Sequence, residues 1–207
     1  MFRNREEAAR RLADKLQAWK GKNPLVLAIP RGAVPMAKII ADALGGSYDV
    51  ALVRKLRAPF NPELAIGSVD ESGWTYVAEH AAAAGADKAY IEAEKQQQLT
   101  VIRQRRAQYT PVRPPEEPAG RVVIVVDDGL ATGATMISAL HGLRNRNPAR
   151  LICAVPVAPP DTLDKIAVLA DEVVCLQAPA DFRAVGQFYA EFPQVEDEEV
   201  MRILQAG

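Results

Sequence analysis

The sequence predicts an α/β fold: a doubly wound, mainly parallel sheet with helices on both faces. Two observations predict it. Several runs, among them PLVLAI, VVIVV, LICAVPVA and EVVCLQA, have strand length and are nearly continuous in apolar residues, the pattern of strands covered on both faces. Segments with apolar residues at helical spacing lie between them, so strand and helix alternate as parallel crossover units require. The length, 207 residues, suits a single domain over 1–207 with a core of its own.

The elements follow in order. Residues 3–20 carry Ala8, Leu12, Leu16 and Trp19 at helical spacing with charges between, which predicts an amphipathic helix. PLVLAI (24–29) reads as a strand ended by Pro30-Arg31-Gly32, and VPMAKIIADAL (34–44) as a helix stopped by Gly45-Gly46. YDVALVRKL (48–56) reads as one second strand, followed by a loop, RAPFNPE, with two prolines. ELAIGSV and WTYVA flank Asp70-Glu71-Ser72-Gly73, a hairpin signal. A long polar helix is expected from Asp87 to about Tyr109, its charges forming a solvated or subunit-facing side. A Pro-rich connector, TPVRPPEEPAG (110–120), leads to the strand VVIVV, a helix over about 133–145, the strand LICAVPVA, the helix PDTLDKIAVLA and the strand EVVCLQA. The tail DFRAVGQFYAEFPQVEDEEVMRIL is expected to end in a short helix.

Composition excludes several function classes. Hydrophobic residues make up 49% and charged residues 25%, the balance of a water-soluble globular chain. The formal net charge is −1, so no global basic field attracts nucleic acid or anionic lipid. The first residues, MFRNREEAARRLADKL, have no apolar signal core, and no apolar run has the length of a membrane span, so a cytoplasmic location is expected. Cys153 and Cys175 sit in apolar runs without a Cys-x-x-Cys spacing or a nearby histidine, which favours free buried thiols over a disulfide or metal pair.

The chemistry concentrates in VVIVVDDGLATGATM, residues 122–136. In a sheet of this kind ligands bind at the carboxyl ends of strands, and there VVIVV delivers Asp127 and Asp128. Two adjacent carboxylates repel, so they call for water, a cation or hydroxyl donors. The small residues of GLATGAT allow backbone N–H groups to close on an anion, Thr132 and Thr135 add hydroxyls, and the following helix directs its positive end to the same place. Carboxylates for hydroxyls beside a nest for phosphate suit a ribose 5-phosphate. The P-loop pattern fails because no lysine follows Gly133, and the dinucleotide G-x-G-x-x-G is absent. An ordinary strand-to-helix turn with Asp and Thr caps explains neither the double Asp nor the Thr-Gly-x-Thr.

This stretch resembles the phosphoribosyl-pyrophosphate (PRPP) motif of type I phosphoribosyltransferases: four hydrophobic residues, two acidic ones and a small-residue loop. Gly129 departs from that pattern, where a larger apolar residue is usual, and so loosens the turn. IPRGAVPMA, VRKLRAPFNPELAIGSV and DFRAVGQFY are similar to a less-studied branch of predicted phosphoribosyltransferases, so the resemblance runs nearly the whole length. It implies the type I fold with a flap around 56–118 and a C-terminal hood around 178–207. It also implies transfer of the 5-phosphoribosyl group from PRPP to a nitrogenous acceptor such as a nucleobase, with release of pyrophosphate. Mg²⁺ held mainly by substrate oxygens and a homodimer are further implications.

Carried over, Asp127 and Asp128 meet the ribose hydroxyls, Ala131, Thr132, Gly133, Ala134 and Thr135 hold the 5-phosphate, and Gly129 belongs to the same binding loop. Arg31 and Gly32 belong to a short pyrophosphate loop with a cis peptide expected at or beside Arg31. Arg54 and Lys55 reach the same pyrophosphate, and with Arg31 and the two aspartates they form the expected catalytic set; Arg57 lies just beyond. Members acting on 6-oxopurines carry an aspartate where this chain has Ala131, which argues against hypoxanthine or guanine. Glu63 is a candidate base or a turn cap. Four of the twelve aromatics fall between Phe182 and Phe192, and Phe182 or a neighbour is a candidate for contact with the acceptor, with core or dimer packing the alternative. His80 and His141 read as bystanders. A non-catalytic PRPP sensor is the second reading. Against it stand the lack of a basic bias and the presence of Arg31, Arg54 and Lys55. An amidotransferase lacks its leading cysteine.

Overall fold

The computed structural model describes residues 1–207. Five strands form a parallel sheet in the order β2-β1-β6-β7-β8: Ser47–Val50 (β2), Leu25–Ala28 (β1), Val122–Val126 (β6), Arg150–Val157 (β7) and Glu172–Gln177 (β8). A smaller antiparallel sheet joins Val53–Arg57 (β3), Ala65–Asp70 (β4) and Thr75–Val77 (β5). The six α-helices are Arg5–Lys15 (α1), Val34–Leu44 (α2), Lys88–Tyr109 (α3), Ala134–Arg144 (α4), Pro160–Ala167 (α5) and Asp197–Gln205 (α6). No helix is long and apolar enough to cross a membrane.

Successive strand side chains point to opposite faces, and the core divides accordingly. Val26, Ala28, Ile124, Val126, Ile152 and Ala154 share a cluster with Leu12 of α1, Leu16 at its end and Ile40 of α2. Leu25, Leu27, Val123, Val125, Leu151 and Cys153 share the other with Met136 and Leu140 of α4 and Ile166 of α5. Each central strand is thus apolar throughout because each face has a helical cover. Both cysteines are free, Cys153 buried and Cys175 half-buried.

Local chemistry sets the helix ends. Asn4 caps α1 by accepting a hydrogen bond from the Glu7 amide at 2.9 Å, and Asp87 caps α3 through the Tyr90 amide at 2.8 Å. Gly45, at φ +69°, takes the left-handed turn that closes α2. Helix α1 stops at Lys15, and Trp19 belongs to a separate 3₁₀ turn, Gln17–Trp19, so the single helix expected over 3–20 is broken.

Two further expectations are corrected. YDVALVRKL is two strands in two sheets: β2 pairs with β1, the amide of Ala51 donates to Ala28 O at 2.8 Å, and from Val53 the chain pairs with β4. The run Val50-Ala51-Leu52-Val53 is apolar across this crossing, so no Gly or Pro marks it. The charges of α3 are not all solvated either. Glu94 is only 4% exposed and accepts from the Arg57 amide at 2.6 Å and from Arg57 Nε at 3.1 Å, fastening α3 to β3.

Candidate active site

Strands β1 and β6 run in register, Ala28 opposite Val126, so the segments after them leave the sheet side by side. One is Pro30-Arg31-Gly32, with a cis peptide between Pro30 and Arg31, where the sequence placed one. The other is Asp127-Asp128. Between them and β3 opens a cavity of about 510 Å³, lined by both aspartates, by every residue from Gly129 to Thr135, and by Pro30, Arg54, Lys55 and Glu63. The residues proposed for ribose, 5-phosphate and part of the pyrophosphate site therefore face one space.

The loop is shaped by close contacts. The Leu130 amide donates to Val157 O at 2.9 Å, and Thr162 Oγ1 donates to Ala131 O at 2.7 Å, anchoring it to β7 and α5. Gly133 enters α4 at φ +79°, and a Cβ there would lie 2.8 Å from Thr162 Cγ2; glycine alone suits both the angle and the space. The first-turn amides of α4 lack intrahelical partners by the geometry of any helix and border the cavity. Gly129 also has a reason. A Cβ there would meet Val185 Cγ1 at 2.6 Å and Val157 Cγ1 at 3.0 Å. The turn is not loosened: Val185, from the tail, fills the space that a larger residue would take.

The electrostatics separate two sides. Burial and the adjacent Asp128 charge raise the Asp127 carboxyl well above its ordinary value. Asp127 Oδ1 accepts from the Asp128 amide at 2.9 Å. Asp128 Oδ2 accepts from Arg5 Nε at 3.0 Å, and Tyr189 donates its hydroxyl to Asp128 O at 2.7 Å. Nothing in the sequence marked Arg5, and Tyr189 stood out only as one of the tail aromatics. Across the cavity, burial together with the nearby charges of Arg105 and Arg57 lowers the Arg54 guanidinium from its ordinary value. Arg54 Nε donates to Gln98 Oε1 at 3.0 Å, which holds it at the rim.

The other candidates fall at varied distances from this cavity. Arg31 turns toward α6, where Nη1 pairs with Asp197 at 3.4 Å, and Gly32 packs against Asp128. The Glu63 amide donates to Asn61 Oδ1 at 3.2 Å in a tight turn while the residue lines the cavity. Phe182 packs against Phe188 with ring centroids 5.1 Å apart and the rings tilted, and among the tail residues it is Val185 that lines the cavity. His141 stacks on Trp74 at 3.9 Å, and His80 Nε2 lies 2.9 Å from Ala65 O. Neither histidine lines the cavity. As for a metal, the donors present are two adjacent carboxylates, one of them burdened by its neighbour's charge. That set suits a hard, oxygen-seeking cation which draws its other ligands from substrate.

Comparison with known proteins adds the following. The family profile "Phosphoribosyl transferase domain" matches residues 2–192. A curated relative from Mycobacterium tuberculosis strain H37Rv, named "Putative phosphoribosyl transferase Rv0571c", is 40% identical over 205 residues, which are 99% of this chain and 46% of the relative. The chain thus spans about half the length of the curated relatives it matches. The crystal structure of the protein TT1426 from Thermus thermophilus is 44% identical, covers 99% of this chain and 98% of its own, and superposes with a TM-score of 0.83. A purine phosphoribosyltransferase from Pyrococcus horikoshii Ot3, 15% identical with 93% of each chain covered, gives a TM-score of 0.50 and shares the fold.

Proposed function

The chain belongs to the phosphoribosyl transferase family, and from that premise we propose that it binds PRPP with Mg²⁺ and transfers the 5-phosphoribosyl group to a nitrogenous acceptor, releasing pyrophosphate. The observation that carries this reading is the cavity at the end of β6, where two carboxylates, a small-residue loop opening a helix, and the Arg54–Lys55 pair share one space. In this reading Asp127 and Asp128 accept hydrogen bonds from the ribose hydroxyls. The residues from Gly129 to Thr135 hold the 5-phosphate with backbone amides and the hydroxyls of Thr132 and Thr135. Arg54 and Lys55 face the pyrophosphate, and Arg31 joins them by leaving Asp197.

As the bond from the anomeric carbon to pyrophosphate breaks, positive charge grows on the ribose and negative charge on the leaving group. The aspartates stabilise the first and the cations the second. The aspartates and Arg54 are held in place before reaction, and preorganised charge of this kind usually contributes most to such catalysis. Mg²⁺, held chiefly by substrate oxygens beside Asp127 and Asp128, would supply charge that offsets the phosphate oxygens. Glu63, over the cavity, is the candidate to take the acceptor's proton. The acceptor is a nucleobase or another small amine. Ala131 in place of an acid argues against 6-oxopurines. A cytoplasmic homodimer completes the proposal, and light scattering in solution tests the dimer.

The test is pyrophosphate release from PRPP and Mg²⁺ across a panel of nucleobases and small amines. Release with one acceptor, lost on changing Asp127→Asn together with Asp128→Asn, is the expected result. PRPP binding without release under any condition turns the reading to a sensor, and PRPP seated outside the 127–135 loop overturns both.

A further inference from the structure

Arg5 opens α1, a position where a positive charge opposes the helix dipole. Local helix preference therefore does not explain it. Its side chain is 12% exposed and that of Asp128 16%, with Nε 3.0 Å from Oδ2. The guanidinium lies over the Phe192 ring, 4.0 Å from its centroid, and Nη1 donates to the carbonyl of Pro193. On the other side is Gly32, where a Cβ would come within 2.4 Å of Asp128 Oδ2 and 3.0 Å of Arg5 Nε. The pair is thus closed in by a glycine below and an aromatic ring above.

The surrounding backbone belongs to the same assembly. The Phe2 amide donates to Phe188 O at 2.7 Å, the Ala190 amide to Phe2 O at 2.8 Å, and the Glu191 amide to Arg3 O at 2.8 Å. Tyr189, whose hydroxyl holds Asp128 O, stands between these bonds. The first residues and the tail therefore form one strap, and Arg5 is its contact with the Asp128 carboxylate. Arg5 takes Oδ2 of that carboxylate, no backbone N–H or cationic group reaches Oδ1, and Asp128 lines the cavity beside the Asp127 carboxyl.

We propose that Arg5 is a positioning residue for PRPP: by fixing Oδ2 of Asp128 and supplying the charge that offsets the carboxylate pair, it presents Oδ1 to a ribose hydroxyl. The proposal rests on the PRPP reading above. It makes ribose recognition depend on the strap, since Phe192 and Pro193 hold the guanidinium in place.

The test compares the wild type with Arg5→Gln, Arg5→Lys and Asp128→Asn by calorimetric titration with PRPP and Mg²⁺, by steady-state kinetics and by thermal melting. Arg5→Gln is expected to weaken PRPP binding about ten-fold or more and to raise KM for PRPP by a similar factor, with kcat within about three-fold; Arg5→Lys, which keeps the charge, recovers part of the loss. A purely structural role lowers the folded, active fraction and hence kcat, without changing the Kd of the folded protein. Unchanged Kd in folded Arg5→Gln overturns the proposal, and tighter binding overturns it too, by showing that Arg5 blocks the site. If Arg5→Gln does not fold, Arg5→Lys decides on the same scale, equal Kd to wild type being the overturning result. Wild type without any PRPP affinity overturns the underlying reading and the proposal with it. Wild-type binding that Asp128→Asn abolishes and Arg5→Gln leaves intact overturns the proposal alone.

Discussion

Glu94, against β3, and Asp128, at the end of β6, are both held by arginine, and they are held to different degrees. Glu94 takes the amide, Nε and Nη2 of Arg57 and Nε2 of Gln98. Burial pushes its pKa up, yet these donors outweigh burial and lower it overall. Asp128 has a donor on one side-chain oxygen only and opens onto the cavity. A carboxylate whose lone pairs are all used joins elements together. One left half-used at a strand's carboxyl end is available to a ligand. Substitutions at the two positions are expected to divide binding from stability.

The largest effect falls on binding. Asp128→Asn is expected to reduce pyrophosphate release by about a hundred-fold or more, the loss seen when one preorganised electrostatic group is removed. Its melting temperature stays near that of the wild type, because the amide preserves the shape and keeps an acceptor oxygen for Arg5. Glu94→Gln reverses the pattern. It leaves Arg57 donors short of a charged partner, at a cost of about 1–3 kcal/mol, or roughly 2–12 °C in Tm for a chain of this length. It touches the cavity only indirectly, through Arg57 at the lining and through Gln98 to Arg54, so PRPP affinity is expected to change by about two- to three-fold at most. Melting curves and titration of the same two variants check both halves. Equal loss of affinity from both breaks the comparison.

What the sequence made legible follows the same division. The PRPP-type motif could be read because strand, carboxylates, loop and helix start are contiguous in residues 122–136, and each part has its own local chemistry. Helix α2 was bounded by a proline and a glycine and was placed residue for residue. The crossing at Ala51-Leu52 was hidden because buried strands of either sheet are apolar there. Arg5 and Asp128 lie 123 positions apart and Arg57 and Glu94 37. Neither pairing has a periodic or spacing signal, since each is created by packing. In the tail, Phe182 has the aromatic ring that suggests a ligand contact, while its neighbour Val185, with no such signal, is the residue that reaches the cavity.

Val185 offers a smaller test on the same loop. Gly129→Leu puts a side chain where Val185 and Val157 already stand, and overpacking of this kind costs about 1–3 kcal/mol. Adding Val185→Ala is expected to return part of that stability and of the PRPP affinity. The double variant performing no better than Gly129→Leu alone shows that the backbone, and not the crowding, requires glycine.

The smallest effect concerns the stability of Asp127 and its sign. Burial and the Asp128 charge raise its carboxyl pKa well above the ordinary 3.8. Between the unfolded and folded values the folded state holds the extra proton, so stability falls as pH rises through that window and is greatest below it. Asp127→Asn removes this penalty. The variant is expected to melt at a higher temperature than the wild type at pH 7 in the absence of PRPP and Mg²⁺, the difference closing as pH falls toward 3.8. Saturating PRPP and Mg²⁺ reverse the order, because only the wild type gains binding free energy at the site. Melting both proteins over a pH series, with and without ligand, reads all three signs. An Asn variant less stable than wild type at pH 7 without ligand means that the carboxylate is satisfied by the fold itself, which would place Asp127 with Glu94 and leave Asp128 as the single half-used carboxylate.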